Sequence, residues 1–316
     1  MDPLFVTSLS LIALTVTPEV VQAQSIDALF QQGNTAQSVG QYVEAESIWQ
    51  QVLRLAPNDV VAHTNLGRAL YYQDRFTDAE AVFREAIRLD PEQAIAYAGL
   101  MNALHAQERY GEAEAAAHQA LALGQPDDPL FYRALGIVLA SQGQYAESEA
   151  AFREVIRLDP IYAAGHNGLG VVMTSQGRFT EAEAAYRTAI DLNPDYADAY
   201  KNLGVALFLQ GRLADAETAS RTAIDLAPDG AAAYNNLALL LLQQGRWEES
   251  ETASRTAIRL DPNDADAYIN LGSVYYSLGR YEDAIIYYEQ ALAIDPNNII
   301  AQDNLAVARH QSGQSQ

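Results

Sequence analysis

The sequence predicts an all-α fold, an elongated solenoid of stacked helix pairs. Three observations predict it. The stretch 197–228, ADAYKNLGVALFLQGRLADAETASRTAIDLAP, returns 34 residues later as AAAYNNLALLLLQQGRWEESETASRTAIRLDP. Pro160, Pro194, Pro228, Pro262 and Pro296 keep the same spacing. Each copy carries two apolar stripes at helical spacing, one over about 198–210 (Tyr200, Leu203, Gly204, Leu207), the other over about 213–226 (Leu213, Ala216, Ala223, Ile224). Gly211 breaks the chain between them and Pro228 follows the second. Neither helix can bury its stripe alone, and stacked copies bury a continuous core. A chain of 316 residues could form two or three globular domains, but the period overrides that expectation.

The chain in order begins with a segment outside the repeat, residues 1–25. An apolar run over 4–16 precedes Val21-Gln22-Ala23, a small-residue cleavage pattern. It reads as a secretory signal peptide cut after Ala23, which would send the mature chain to the periplasm or the exterior. Met1-Asp2-Pro3 lacks the usual basic residue, so a retained membrane anchor or a folded N-terminal cap are the alternatives, with a cytoplasmic or membrane-associated chain. Eight repeats then fill 26–298. The third, about 94–128, is irregular. Met101 stands in a small-residue row, Glu108 at a turn glycine and Ala117 at a large aromatic, and one residue is inserted near 124–126. The insertion is either a tolerated loop or a hinge between repeats 1–3 and 4–8. Residues 299–311 read as a lone helix capping the last apolar face, and 312–316 as a fraying tail.

Within the repeats, Gly67, Gly136, Gly170, Gly204 and Gly272 share one position, and Ala79, Ala113, Ala182, Ala216 and Ala284 another. A bulky side chain in either row would push the two helices of a pair apart. Tyr42, Phe76, Tyr110, Tyr145, Phe179, Leu213, Trp247 and Tyr281 are the large residues expected to fill the space beside them.

This Leu-Gly…Tyr…Ala…Phe…Pro pattern with its 34-residue period resembles the tetratricopeptide repeat family. The resemblance covers about nine-tenths of the chain. It implies a right-handed superhelix of antiparallel helix pairs whose first helices line a concave groove.

Composition excludes several functions. The net charge is -22, and one lysine, Lys201, accompanies eighteen arginines. Nucleic acid is not expected as a partner, because phosphate binding needs clustered basic residues. There is no cysteine, so disulfides and thiolate chemistry are excluded. His63 and His166 take a position otherwise filled by Tyr97, Tyr132, Tyr200, Tyr234 and Tyr268, which marks them as packing residues. No catalytic, metal-binding or phosphate-cradling motif appears. No cofactor, metal or enzymatic activity is expected.

If the family geometry holds, the groove over repeats 5–8 carries the candidate site. Asn202, Asn236, Asn270 and Asn304 share one position, with Asn65 an earlier outlier. A row of carboxamides can bind the main chain of an extended peptide, or it can bond locally. Three flanking rows run Asn167, Lys201, Asn235, Ile269; Val171, Val205, Leu239, Ser273; and Thr174, Phe208, Leu242, Tyr276. The apolar members could anchor peptide side chains or pack between repeats. The two-carboxylate clamp known in the family is not matched: Val205 stands where an Asn is required, and Asp266 and Asn270 where both residues should be basic. Glu80/Arg84, Glu149/Arg153, Glu183/Arg187, Glu217/Arg221 and Glu251/Arg255 read as helix-stabilising i,i+4 pairs. The expected function is a non-enzymatic scaffold that binds an extended peptide during assembly or export of a complex. The alternatives are a substrate-recruiting subunit for a separate enzyme and a solenoid that dimerises through its terminal helices.

Overall fold

The computed structural model describes residues 25–124 and 128–314; the predicted signal peptide and the center of the predicted insertion lie outside them. The described residues form seventeen α-helices and no strand, named α1 to α17 in chain order. The first helices of the pairs are α1 (Ile26–Ser38), α3 (Val60–Tyr71), α5 (Ala94–Ala106), α7 (Pro129–Ser141), α9 (Ala163–Ser175), α11 (Ala197–Leu209), α13 (Ala231–Gln243) and α15 (Ala265–Ser277). The second helices are α2 (Tyr42–Leu55), α4 (Phe76–Leu89), α6 (Tyr110–Leu123), α8 (Tyr145–Leu158), α10 (Phe179–Leu192), α12 (Leu213–Leu226), α14 (Trp247–Leu260) and α16 (Tyr281–Ile294). Helix α17 (Ile299–Gln314) follows. No described helix is long and apolar enough to cross a membrane.

Each pair is closed by one turn geometry. Gly211 sits at φ +79°, and the amide of Arg212 donates to the Leu207 carbonyl at 2.9 Å, satisfying an orphan carbonyl of α11. Repeats 2 and 3 keep this turn without glycine: Asp74 and Glu108 both lie at φ +59°, a conformation that costs a non-glycine residue roughly 1–2 kcal/mol. Glu108 therefore alters the residue and leaves the turn intact.

The small rows do what the sequence predicts, but a different aromatic row fills them. A Cβ on Gly67 would come within 2.7 Å of Phe83, and one on Gly272 within 2.6 Å of Tyr288. Trp49, Phe83, Phe152, Tyr186 and Tyr288 are at most 3% exposed, whereas Tyr42, Phe76 and Trp247 are only half-buried. The third repeat exchanges the two sizes. Met101 and Ala117 are both 2% exposed, so the large side chain comes from α5 and the small one from α6. The apolar core continues from α1 into α7, through Ala113, Ala116, Ala117, Leu135 and Val138. Helix α17 packs on α16 and buries Ala301, Leu305 and Ala308.

Candidate functional site

First helices of successive repeats pack against one another, as α9 with α11 and α11 with α13, while second helices do not pack this way among the described residues. The first helices are therefore the inner layer, and the stack curves around them. Inner-layer side chains that face neither their own partner helix nor the next repeat line the groove.

The asparagine row divides in two. The Asn202 amide donates to Asn167 Oδ1 at 3.1 Å, and the Asn270 amide donates to Asn235 Oδ1 at 2.5 Å. Asn270 is 8% exposed. These two residues bond between repeats, as the local reading of the row expects, and Asn235 is engaged with Asn270. The carboxamides of Asn236 and Asn304 bond to no described residue. Lys201 donates to Asp198, one turn away, at 2.5 Å, so its charge is neutralised within α11.

Three predicted residues meet at one place. Asn236, Phe208 and Leu239 border a cavity of about 150 Å³ between α11 and α13, together with Val205, Leu209 and Leu240. Leu239 is 41% and Leu209 46% exposed, so the cavity opens to the groove. Phe208 also packs on the core. Leu242 and Tyr276 are half-buried and lie outside this cavity. Tyr276 sits 5.4 Å from the Tyr281 ring.

The outer face carries a ladder that reaches further than the predicted pairs. Glu217 receives Arg221 of its own helix and also Arg246 of the next repeat's turn, at 2.6 Å. Arg109 reaches Glu80, Arg178 reaches Glu149 and Arg212 reaches Glu183 in the same way. Burial pushes the Glu217 carboxyl up, but bonds from Arg246 and Arg221 outweigh it and hold the group below the usual carboxylate range. The sequence signal for this ladder is an arginine recurring as Arg178, Arg212 and Arg246, with an acid three residues on. At the irregular junction Gln144 replaces that arginine, and Glu114 accepts from Gln142 at 2.9 Å instead.

Two further cavities meet at Arg133 of α7, a residue that pattern reasoning missed. One, of about 380 Å³, lies among α3, α5 and α7. The other, of about 250 Å³, lies between α7 and α9. Among the described residues, no group of His, Asp and Glu could hold a metal ion.

A tetratricopeptide repeat family model matches residues 30–94 and 99–163. A model of the C-terminal domain of cilia and flagella-associated protein 70 matches residues 167–316. A search of curated proteins gave no match. Among solved structures, a chain of the APC/C hetero-tetramer Cut9–Hcn1 superposes with a TM-score of 0.70 at 18% identity, over 89% of this chain and 55% of that one. This chain thus spans about half of that relative's length. A tetratricopeptide repeat protein from Parabacteroides merdae gives 0.64 at 14% identity, covering 79% of this chain and 98% of its own. TTC0263 from Thermus thermophilus gives 0.52 at 20% identity, covering 57% and 98%. At these identities the likeness is one of fold.

Proposed function

Because the chain belongs to the tetratricopeptide repeat family, a family of scaffolds for protein–protein contact, we propose that its inner face holds an extended segment of another protein across α11 and α13. The observation that carries this reading is the open apolar cavity walled by Val205, Phe208 and Leu239, with the unbonded Asn236 carboxamide beside it. An apolar peptide side chain fills the cavity, and the carboxamide offers a donor and an acceptor to the peptide main chain. Asn202 and Asn270 keep neighbouring repeats in register and do not take part. The setting proposed is assembly or export of a larger complex.

Peptides selected on the wild-type protein from a random library test the reading. Leu239→Arg places a charge at the cavity mouth on an exposed position, so the fold is expected to persist, as circular dichroism would check. The selected peptides should lose at least about tenfold in affinity, or 1.4 kcal/mol. Unchanged binding to the variant would remove this cavity as the site.

A further inference from the structure

The inner layer is electrostatically unlike the rest of the molecule. The chain holds 41 acidic residues, yet α3, α5, α7 and α9 contain none. The basic residues on these four helices, histidines aside, are Arg68 and Arg133. Among the described residues neither pairs with a carboxylate, in contrast to the arginines of the outer ladder. Both border the 380 Å³ cavity, with Met101, Asn102 and His105 of α5 between them. Asp128, the one carboxylate at this cavity among the described residues, caps α7 by accepting from the Leu130 amide.

Arg133 is half-buried and incompletely bonded. Its Nε is buried and makes no hydrogen bond. Its side chain also borders the 250 Å³ cavity on the other side of α7, beside Asn167, Val171 and Tyr196. A buried donor left without an acceptor is costly, and an incoming carboxylate relieves that cost. His105 donates to or accepts from Ser141 Oγ at 2.8 Å, and burial lowers its pKa, so it stays neutral near pH 7 and does not compete for the anion. Exposed Ile95, Leu130, Ile137 and Val171 rim the two cavities.

From this juxtaposition we infer that the inner face of repeats 2–5 selects an acidic segment of the partner protein, with carboxylates at Arg68 and Arg133 and apolar residues between them. The inference rests on the reading that the inner face holds a peptide, and it adds the partner's chemistry. The molecule's own negative charge does not oppose it. In the electrolyte the field of the outer-face carboxylates falls off over a Debye length of about 8 Å at physiological ionic strength, and the first helices of this half add no carboxylate of their own. A long polyanion such as nucleic acid is disfavoured, because beyond the arginines α15 and α17 carry the exposed carboxylates Asp266 and Asp303.

The test uses the full chain and two short fluorescein-labelled peptides, one of repeated Ala-Glu-Leu-Pro and one with every Glu replaced by Gln. The wild type should bind the Glu peptide about tenfold more tightly than the Gln peptide. Arg68→Gln with Arg133→Met should erase the difference, and Arg133→Lys should keep most of it. Arg68→Gln alone, on an exposed side chain, should reduce it without any effect on folding. Equal binding of both peptides by the wild type would overturn the inference while leaving peptide binding in place. Binding of neither would overturn both. A single-stranded oligonucleotide that displaces the Glu peptide at lower concentration would overturn the assignment to an acidic peptide.

Discussion

The inner faces of repeats 2–5 and of repeats 6–8 share one backbone and one register, yet they present different chemistry. At the position before Leu-Gly, α5 and α9 carry Gly99 and Gly168, whereas α11, α13 and α15 carry Asn202, Asn236 and Asn270. The cause lies behind the inner layer. A Cβ on Gly99 would come within 2.2 Å of Phe83, and one on Gly168 within 2.1 Å of Phe152. In the later repeats the corresponding outer-helix residues ahead of α13 and α15 are Ser220 and Ser254. At Gly99 and Gly168 the ring of the previous repeat leaves no room for a side chain, whereas at Asn236 and Asn270 a serine stands in its place. Asn65, Asn202 and Asn304 follow Trp49, Tyr186 and Tyr288 and depart from this pattern; nothing in the structure explains them. An inner-row residue is informative about a ligand only after this packing constraint has been subtracted, which leaves Asn236 in one half and Arg133 in the other.

The most damaging way to break the comparison is to put the later residue into the earlier half. Gly168→Asn should destabilise the protein by about 3 kcal/mol through overpacking against Phe152. In the background of Phe152→Ser, itself destabilising, the same change should cost far less, with a coupling of about 1–2 kcal/mol. The reverse change, Asn236→Gly, should cost only about 1 kcal/mol, the ordinary price of a helix-interior glycine. Denaturant midpoints measure all four. If Gly168→Asn is tolerated, ring volume does not set the residue in this row.

A smaller effect separates the asparagines from one another. Asn270→Ala removes a buried amide and leaves Asn235 without its donor, for a loss of about 1 kcal/mol. Asn236→Ala removes no hydrogen bond, so its stability should stay within about 0.5 kcal/mol of wild type. Equal losses for the two variants would mean that both serve the same architectural role.

These two asparagines also show what was legible beforehand. Period, most helix boundaries and the glycine turns follow from spacing alone, because each is fixed by local backbone chemistry; α17 is the exception, running to Gln314 rather than ending at 311 before a fraying tail. The predicted pairing of small rows with Tyr42 and its equivalents missed the row that begins at Trp49, since spacing does not say which aromatic of a helix turns inward. The asparagine row looked uniform because its residues are identical in sequence. Their difference depends on the residue 35 positions earlier: Asn270 finds Asn235, while Asn236 finds Lys201, already held by Asp198. Arg133 was hidden by its ordinariness among eighteen arginines. The readable sign was negative, namely the lack of acids on four successive inner helices.

The outer face is what the two halves have in common, and there the comparison predicts equality. Glu80 in repeat 2 and Glu217 in repeat 6 each accept an arginine from their own helix and one from the next repeat. For both, burial raises the pKa and the hydrogen bonds and charges of the partners lower it further than burial raises it. Replacing either with Gln should cost about 1 kcal/mol near pH 7, with the same value in both halves. A carboxylate whose folded pKa is depressed contributes stability above its unfolded pKa of about 4.3. That contribution disappears as pH falls through the lower folded value. The gap between wild type and each variant should therefore hold at neutral pH and close in acid, and urea denaturation at a series of pH values would follow it. Glu114, which meets Gln142 where the others meet arginine, should show a smaller gap at pH 7. A gap as large as that of Glu217 would mean that the arginine of the following repeat contributes little to holding repeats together.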